Sequence, residues 1–268
     1  MGSNVIEISD AVRGSGSHAQ IQNVTVSHAK LTKLEEVLSR YGSLSAEAVM
    51  RLANVKAKRV ALKKNYKLYS LCQGKAEVFV VRQGWLNLCH SSNNRGEDIC
   101  NVYMPGDIVG LRESFFNNHD ITLLAMQDCQ LDKVTVDDIH KVFAEDSDVK
   151  KAIVSYIMVN DNVAIERLRS CTHLKAEERV AHFLLEICAR CNFNGIIDSS
   201  EFYFPVTQEI MGELLGITNV HVSRCMTALE QKKLIRKSRT TIRLLEPSLL
   251  AEITGFDKGL IYSHVDLL

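Results

Sequence analysis

A short stretch near the end of the chain collects side chains that can bind a polyanion. Between Thr218 and Leu245 seven residues are basic and one is acidic, namely Arg224, Lys232, Lys233, Arg236, Lys237, Arg239 and Arg243 against Glu230. Cations at this density can neutralise phosphates and release their condensed counterions. The whole chain is neutral, with 32 basic and 32 acidic residues, so the excess is a local property. A solvated basic surface is the alternative interpretation.

Two helices joined by a tight turn are predicted around the start of this stretch. Thr207 stands at an N-cap position ahead of an apolar helical face, and Gly216 permits the positive φ of a turn. Thr218 can cap the second helix. The apolar residues of that helix share its inner face, and they are Val222, Cys225, Met226 and Leu229. The pattern is typical of a helix-turn-helix.

The outer rim of the second helix carries short or hydrogen-bonding side chains, which are Asn219, Val220, His221, Ser223 and Arg224. Such a rim can reach base edges in the major groove of DNA while the inner face packs on the first helix. The next residues predict a hairpin, here called the wing, whose cations lie along the phosphates. Those cations are Arg236, Lys237, Arg239 and Arg243, and Thr207 and Thr218 complete the predicted DNA-binding set. A helical hairpin that does not bind DNA is the alternative.

The preceding chain divides into segments of different periodicity. Short apolar runs between Gly, Asn and Pro turns, from about Val55 to Val136, predict a β-sandwich or roll. A long helical pattern starts near Val136, and in it a set of residues recurs at alternating spacings of three and four: Ile153, Ile157, Asn160, Ala164, Arg167 or Leu168, and Cys171. This spacing favours packing on a second copy across a two-fold axis, and burial against the helix's own domain is the alternative.

The order of these parts resembles that of the cyclic-AMP receptor/fumarate-nitrate regulator (Crp/Fnr) superfamily. The resemblance covers residues 31–250 and is carried by GKAEVFVVRQGWLNL, MPGDIVG and LLGITNVHVSR. It implies an α+β fold with an N-terminal double-stranded β-roll of the cyclic-nucleotide-binding type. The expected division is a flexible arm over 1–30, the roll over 31–145, a dimerisation helix over 146–173, a winged helix-turn-helix over 174–255 and a tail over 256–268.

The resemblance also implies a bacterial transcription regulator that binds a palindromic site on double-stranded DNA as a homodimer. RNA polymerase and a small-molecule effector at the roll are the further implied partners. Ser223 and Arg224 match the family's recognition helix, so Arg224 is expected to contact guanine. Val220 replaces a Glu that is frequent there, which removes an acceptor for cytosine and predicts a different half-site. A dimeric interaction protein without DNA binding is a further alternative.

Cyclic AMP in the family's usual mode is not expected as the effector. Members that bind it have a Glu where this chain has Leu111, and an Arg-Ser pair near His119-Asp120, where an acid repels a cyclic phosphate. Another ligand is expected in a pocket predicted to involve Leu111, Arg112, Glu113 and His119. The iron–sulfur cluster of the oxygen-sensing branch is excluded because the first cysteine, Cys72, lies beyond the N-terminal arm.

The cysteines and histidines supply alternative hypotheses. Cys188 and Cys191 form a CxxC without a second pair, and Cys225 lies on the recognition helix; core packing is expected for all three over metal binding or thiol sensing. Cys89-His90 is a haem candidate at positions that differ from those of haem-binding members. No metal site or enzymatic activity is predicted, because an HxH pair, a nucleophile elbow, a Walker loop and a Rossmann fingerprint are all missing. The lack of a long apolar run or signal peptide predicts a cytoplasmic protein.

Overall fold

The N-terminal end of the described chain is a strand. The computed structural model describes residues 24–29, 33–70, 77–92, 96–116 and 121–262. Strand β1 (Val24–Ala29) pairs antiparallel with β2 (Ala57–Leu62). The prediction of a flexible arm over 1–30 is therefore wrong for these six residues, and its other residues lie outside the described part. Without β1, the edge of β2 would leave backbone N–H and C=O groups unpaired, and β1 supplies their hydrogen-bond partners.

Two antiparallel sheets form the N-terminal domain, as the β-roll prediction requires. The remaining strands are β3 (Lys67–Ser70), β4 (Glu77–Gln83), β5 (Leu86–Ser92), β6 (Gly96–Tyr103), β7 (Ile108–Val109), β8 (Ile121–Ala125) and β9 (Cys129–Thr135). One sheet has the order β1-β2-β9-β4-β7 and the other β3-β8-β5-β6. A single apolar cluster takes Phe79 and Leu131 from the first sheet and Leu86 and Leu123 from the second. Side chains of this cluster therefore fill the space between the sheets.

Helices flank the roll and build the C-terminal half. They are α1 (Leu34–Leu38), α2 (Ala46–Ala53), α3 (Val136–Glu145), α4 (Ser147–His173), α5 (Ala176–Phe193), α6 (Gln208–Leu215), α7 (Asn219–Gln231), α8 (Pro247–Thr254) and α9 (Lys258–Tyr262). A third sheet has the order β10-β12-β11, from β10 (Glu201–Tyr203), β11 (Ile235–Lys237) and β12 (Thr241–Leu244). None of the helices in the described residues combines the length and the apolar character needed to span a membrane.

The long helical pattern that starts at Val136 is broken at Asp146. The Asp146 carboxylate accepts hydrogen bonds from the backbone N–H groups of Asp148 and Val149, at 3.0 and 3.1 Å, and so begins α4 as a new helix. A carboxylate at this position satisfies backbone donors that have no partner within the helix.

The face that α4 turns outward differs from the predicted stripe. Ile153 is fully buried in the protein's own core, so its predicted place in a contact between two copies is wrong. Arg167 is also held within the chain, by Glu186. The large apolar side chains that α4 exposes are Met158, Ile165 and Leu168, at 41%, 60% and 64% exposure. The outward apolar face thus overlaps the predicted stripe at Leu168 and is otherwise rotated from it about the helix axis.

The C-terminal half packs directly on the roll. Trp85, Val102 and Met104 of the roll belong to the same apolar cluster as the buried residues of α5, α6 and α7. Polar contacts also cross the same boundary: the Ile99 N–H donates to Glu213 Oε2 at 3.2 Å, and Tyr203 Oη lies 2.7 Å from Gln127 Oε1. The two domains therefore share a continuous interface in this structure.

Candidate nucleic-acid interface

Helix α6 and the turn after it are set by one capping side chain and two glycines. Thr207 caps α6 by accepting a hydrogen bond from the Ile210 N–H at 3.3 Å, as predicted. Gly216 ends the helix in the left-handed conformation with φ of 65°. Gly212 was not singled out from the sequence, yet a Cβ there would lie 2.6 Å from the Ile217 carbonyl oxygen. The missing side chain lets the turn pack closely on α6.

Helix α7 starts where the sequence places the second helix. Thr218 Oγ1 accepts a hydrogen bond from the His221 N–H at 3.2 Å and caps the helix. The inner residues are all buried in the core shared with α5, and they are Val222, Cys225, Met226 and Leu229. The predicted helix-turn-helix is thus confirmed, with the inner face of α7 inside the domain.

The outer rim of α7 is open to solvent. Thr218, Asn219, Val220, His221 and Arg224 are exposed and Ser223 is half-buried. Asn219 Oδ1 accepts a hydrogen bond from the Val220 N–H at 2.7 Å, while Val220 exposes 57% of its surface. The rim therefore presents a guanidinium, an imidazole and an amide around one apolar side chain. This set can hydrogen-bond to base edges and contact a thymine methyl group.

An acid that the sequence analysis did not single out, Glu209, lies near this rim. The pKa of Glu209 is lowered by hydrogen bonds from its own backbone N–H, from Thr207 and from Asn219. Glu209 is exposed in the first turn of α6. Glu209 thus places a negative charge near Thr207 and Asn219, two residues of the predicted DNA-binding set.

The wing follows α7 as a tight hairpin. Strands β11 and β12 pair antiparallel, and the Ser238 N–H donates to the Thr241 carbonyl at 2.9 Å across the turn. Arg236, Lys237 and Arg239 are exposed on it, as a phosphate-contacting role requires. The Lys237 N–H donates to Glu230 Oε1 at 2.8 Å and connects the wing to the end of α7.

Two of the seven counted cations are paired with acids from elsewhere in the chain. Arg243 Nε lies 3.0 Å from Glu201 Oε2, because β10 places Glu201 opposite Arg243 in the sheet. Lys232 Nζ lies 2.5 Å from Glu177 Oε1. The phosphate contact predicted for Arg243 stays a prediction, and it would compete with this ion pair. Sequence reasoning missed β10, although the alternating Glu-Phe-Tyr-Phe pattern from Glu201 is a strand signal.

The residues predicted to line an effector pocket differ in their accessibility in the described structure. Leu111 is buried in the core beneath the roll, so its side chain is unavailable to a ligand. Arg112 is exposed, with Nη1 3.6 Å from Glu113 Oε1 and Cζ 5.4 Å from the Phe116 ring centre. His119 lies outside the described residues. A pocket formed by the remaining residues stays a prediction.

The thiols lie in positions that suit packing. Burial raises the pKa of Cys188 to about 11 and that of Cys191 to about 12, and burial also raises the pKa of Cys225. Thiols whose pKa is raised are protonated at neutral pH and are poor nucleophiles and metal ligands. Cys89 is buried and His90 exposed, since neighbouring strand residues face opposite ways, so the two do not converge on one iron. The described residues contain no cluster of three His, Cys, Asp or Glu able to hold a metal.

Both halves of the chain match known protein families. Residues 60–146 match the cyclic nucleotide-binding domain family, and residues 178–253 match the Crp-like helix-turn-helix domain family. Transcriptional regulatory protein btr of Bordetella pertussis is 24% identical over 212 residues, covering 79% of this chain and 87% of the relative. Transcriptional activator protein Anr of Pseudomonas protegens is 22% identical over 213 residues, covering 80% and 87%.

Solved structures share the fold. FixK2 from Bradyrhizobium japonicum superposes with a TM-score of 0.65 at 21% identity, covering 75% of this chain and 98% of that one. The roll, the helix-turn-helix and the exposed rim of α7 define a DNA-binding transcription regulator. The chain belongs to the Crp/Fnr superfamily, which confirms the resemblance found in the sequence.

Proposed function

We propose that the chain binds a palindromic DNA site as a homodimer, with α7 in the major groove and the wing along the sugar-phosphate backbone. The observation that carries this proposal is the exposed rim of α7 beside the exposed cations of the wing. Thr207 and Thr218 stand at the starts of α6 and α7, where free backbone N–H groups favour phosphate. Each copy thereby reads one half-site.

Base recognition is assigned mainly to Arg224. Its guanidinium is exposed on the rim and suits a bidentate contact to guanine O6 and N7. Val220 offers a methyl-sized apolar contact for thymine and no acceptor for cytosine. The preferred half-site therefore differs from those read by members with Glu at this position. Asn219, His221 and Ser223 supply the remaining polar contacts of the rim.

Dimerisation is assigned to the exposed face of α4. Met158, Ile165 and Leu168 lie on one side of this 27-residue helix at spacings that return to the same face. Apolar side chains clustered in this way mark a surface that a second molecule covers. A two-fold axis beside α4 brings the same face of both copies together, and it gives the DNA site its palindromic symmetry.

The regulator is proposed to respond to a small-molecule effector other than cyclic AMP and to act with RNA polymerase. Leu111 is an apolar core residue at the position where cyclic-AMP binders carry a ribose-binding Glu. An activating role, and with it a polymerase contact, is supported by the relative Anr, which is named a transcriptional activator.

The test begins with selection of binding sites from random DNA by the full chain, followed by affinity measurements on the selected site. Arg224→Ala should weaken specific binding by about 1–3 kcal/mol and relax the preference at one guanine. Lys258→Ala removes an equal charge from an exposed residue of α9, outside the interface, and should leave binding unchanged. Unaltered specific affinity in Arg224→Ala would contradict the proposed docking.

A further inference from the structure

A cavity of about 330 Å³ lies between the roll and the winged-helix domain. The roll contributes Lys64, Met126 and Gln127 to its wall, and the winged-helix domain contributes the start of α6 and the turn of the wing. The volume lies at the lower end of the range of small-molecule sites. The cavity is separate from the residues predicted as an effector pocket near Leu111.

The cavity carries a one-sided charge. Lys64, Lys237 and Arg239 line it, and none of its described lining residues is acidic. Asp128 follows the lining residue Gln127, and its carboxylate accepts hydrogen bonds from Lys63 Nζ at 2.8 Å and from the Lys64 backbone N–H at 3.0 Å. Helix α6 starts at the wall, at Gln208, and Glu209 in its first turn offsets the partial positive charge of the helix end, so the positive charge of the wall comes from the three cations. These features favour an anion.

The rest of the wall is largely apolar and contains flexible methionine side chains. Met211 and Met226 are buried in the domain core and form the inner part of the wall, and Met126 is half-buried on the roll side. Thioether side chains adapt to irregular apolar shapes. The hydroxyl groups of Ser238 and Thr241 add hydrogen-bonding positions near the cations. A charged rim above an apolar wall suits a molecule with an anionic head and an apolar body.

Both domains are needed to form the wall. Tyr203 Oη lies 2.7 Å from Gln127 Oε1 and joins the two sides at the cavity. A molecule held there contacts the roll and the wing at once, so its binding is coupled to the way the domains are docked. Lys237 and Arg239 belong both to this wall and to the proposed phosphate contacts.

We propose that this cavity is an effector site for a small amphipathic carboxylate, and that its occupation weakens DNA binding. The proposal rests on the proposed function, because the DNA effect requires the wing to contact phosphate. A carboxylate between Lys64, Lys237 and Arg239 neutralises two cations of the wing. Ligand and DNA then compete for the same charges, and by linkage each lowers the affinity for the other.

The binding test needs no DNA. The full chain is titrated calorimetrically with octanoate, decanoate and 4-phenylbutyrate, each beside its neutral primary amide. At least one carboxylate should bind with a Kd below about 1 mM and at least tenfold more tightly than its amide, since only the acid meets the cations. If no carboxylate exceeds its amide, the site is not an anion site and the proposal is overturned.

Two charge variants on the roll locate the binding. Lys64→Glu places an acid in the cavity at an exposed residue outside the DNA interface, and carboxylate affinity should fall at least tenfold. Lys56→Glu makes the same change at an exposed roll residue that does not line the cavity, and it should leave the affinity unchanged. An equal effect of both variants, or of neither, contradicts the assignment to this cavity.

Measurements of DNA binding distinguish a failure of this proposal from a failure of the proposed function. Saturating carboxylate should weaken binding to the selected DNA site several-fold in the wild type and much less in Lys64→Glu. Without carboxylate, Lys64→Glu should itself weaken DNA binding, because its side chain places an acid beside Lys237 and Arg239, whereas Lys64→Gln should bind DNA as the wild type does. Loss of DNA binding in every protein would overturn the proposed function while leaving the calorimetry intact. A carboxylate that binds without weakening DNA binding would overturn the competition.

Discussion

Arg190 Nη2 lies 2.8 Å from Asp107 Oδ2, and both side chains are buried. The pair joins α5 of the winged-helix domain to the turn between β6 and β7 of the roll. The same guanidinium donates to the Val102 carbonyl at 3.0 Å, and the Asn194 Nδ2 donates to Asp107 Oδ1 at 2.9 Å. Burial opposes the charge of Arg190, but Asp107 and Glu186 outweigh it and raise the pKa of the guanidinium. This contact fixes the DNA-binding domain on the roll.

Removing the cation should cost much more stability than removing a matched one within the roll. Arg190→Met leaves Asp107 buried without its charge partner, and the free energy of unfolding should fall by about 3–5 kcal/mol. Arg59→Met is the control, because buried Asp132 keeps Arg82 Nε at 3.3 Å after the substitution. Urea denaturation followed by circular dichroism compares the two. Equal losses would show that the contact between the domains has no special weight.

The exposed apolar face of α4 should control the oligomeric state. Leu168→Glu puts a charge at a side chain that is 64% exposed in one copy and buried in the proposed dimer, so the mass from sedimentation equilibrium should fall to that of a monomer. Leu249→Glu, at an exposed position of α8, should keep the wild-type mass. A Leu168→Glu protein that remains dimeric would remove α4 from the interface.

The salt dependence of DNA binding should distinguish free from paired cations on the wing. Each lost phosphate contact lowers the slope of log K against log salt by about 0.9. Lys237→Gln and Arg239→Gln should each reduce the slope by about this amount. Arg243→Gln should change it little, because Arg243 is held by Glu201 at 3.0 Å. Filter binding across a range of KCl concentrations gives the slopes, and a large effect of Arg243→Gln would contradict the paired assignment.

Buried His182 should make folding sensitive to acid. Its pKa is lowered chiefly by burial, and Arg169 adds to the shift. The carboxylates of Glu186 and Glu166 oppose it. The Phe256 ring also packs on the imidazole, with centroids 5.2 Å apart.

The sign of the pH effect follows from proton uptake. The unfolded chain, with an ordinary histidine pKa of about 6.5, takes up the proton before the folded protein does. The contribution of His182 to stability is therefore complete above that pH and is lost as the pH falls below it. Thermal unfolding between pH 7.5 and 5 should show a larger decrease in Tm for the wild type than for His182→Leu. Parallel pH profiles would show that His182 is not the responsible group.

Much of the DNA-binding element was predictable from the sequence because its determinants are local. The caps at Thr207 and Thr218, the turn at Gly216 and the apolar spacing of α7 all act within a few residues of one another. Hydrogen bonds of helix starts and the periodicity of a buried face depend on neighbouring residues, so one continuous segment contains the information. The roll was recognisable as alternating short strands for the same reason.

Only the tertiary structure decided which distant groups meet. Asp107 and Arg190 are 83 positions apart, and the sequence around either residue gives no indication that the other is its partner. Glu201 neutralises Arg243 because β10 joins the sheet of the wing, and Ile153 turns inward because the protein's own core occupies that side of α4. Contacts between separate segments arise from how complete surfaces pack, and that packing is a property of the folded chain which no local periodicity encodes.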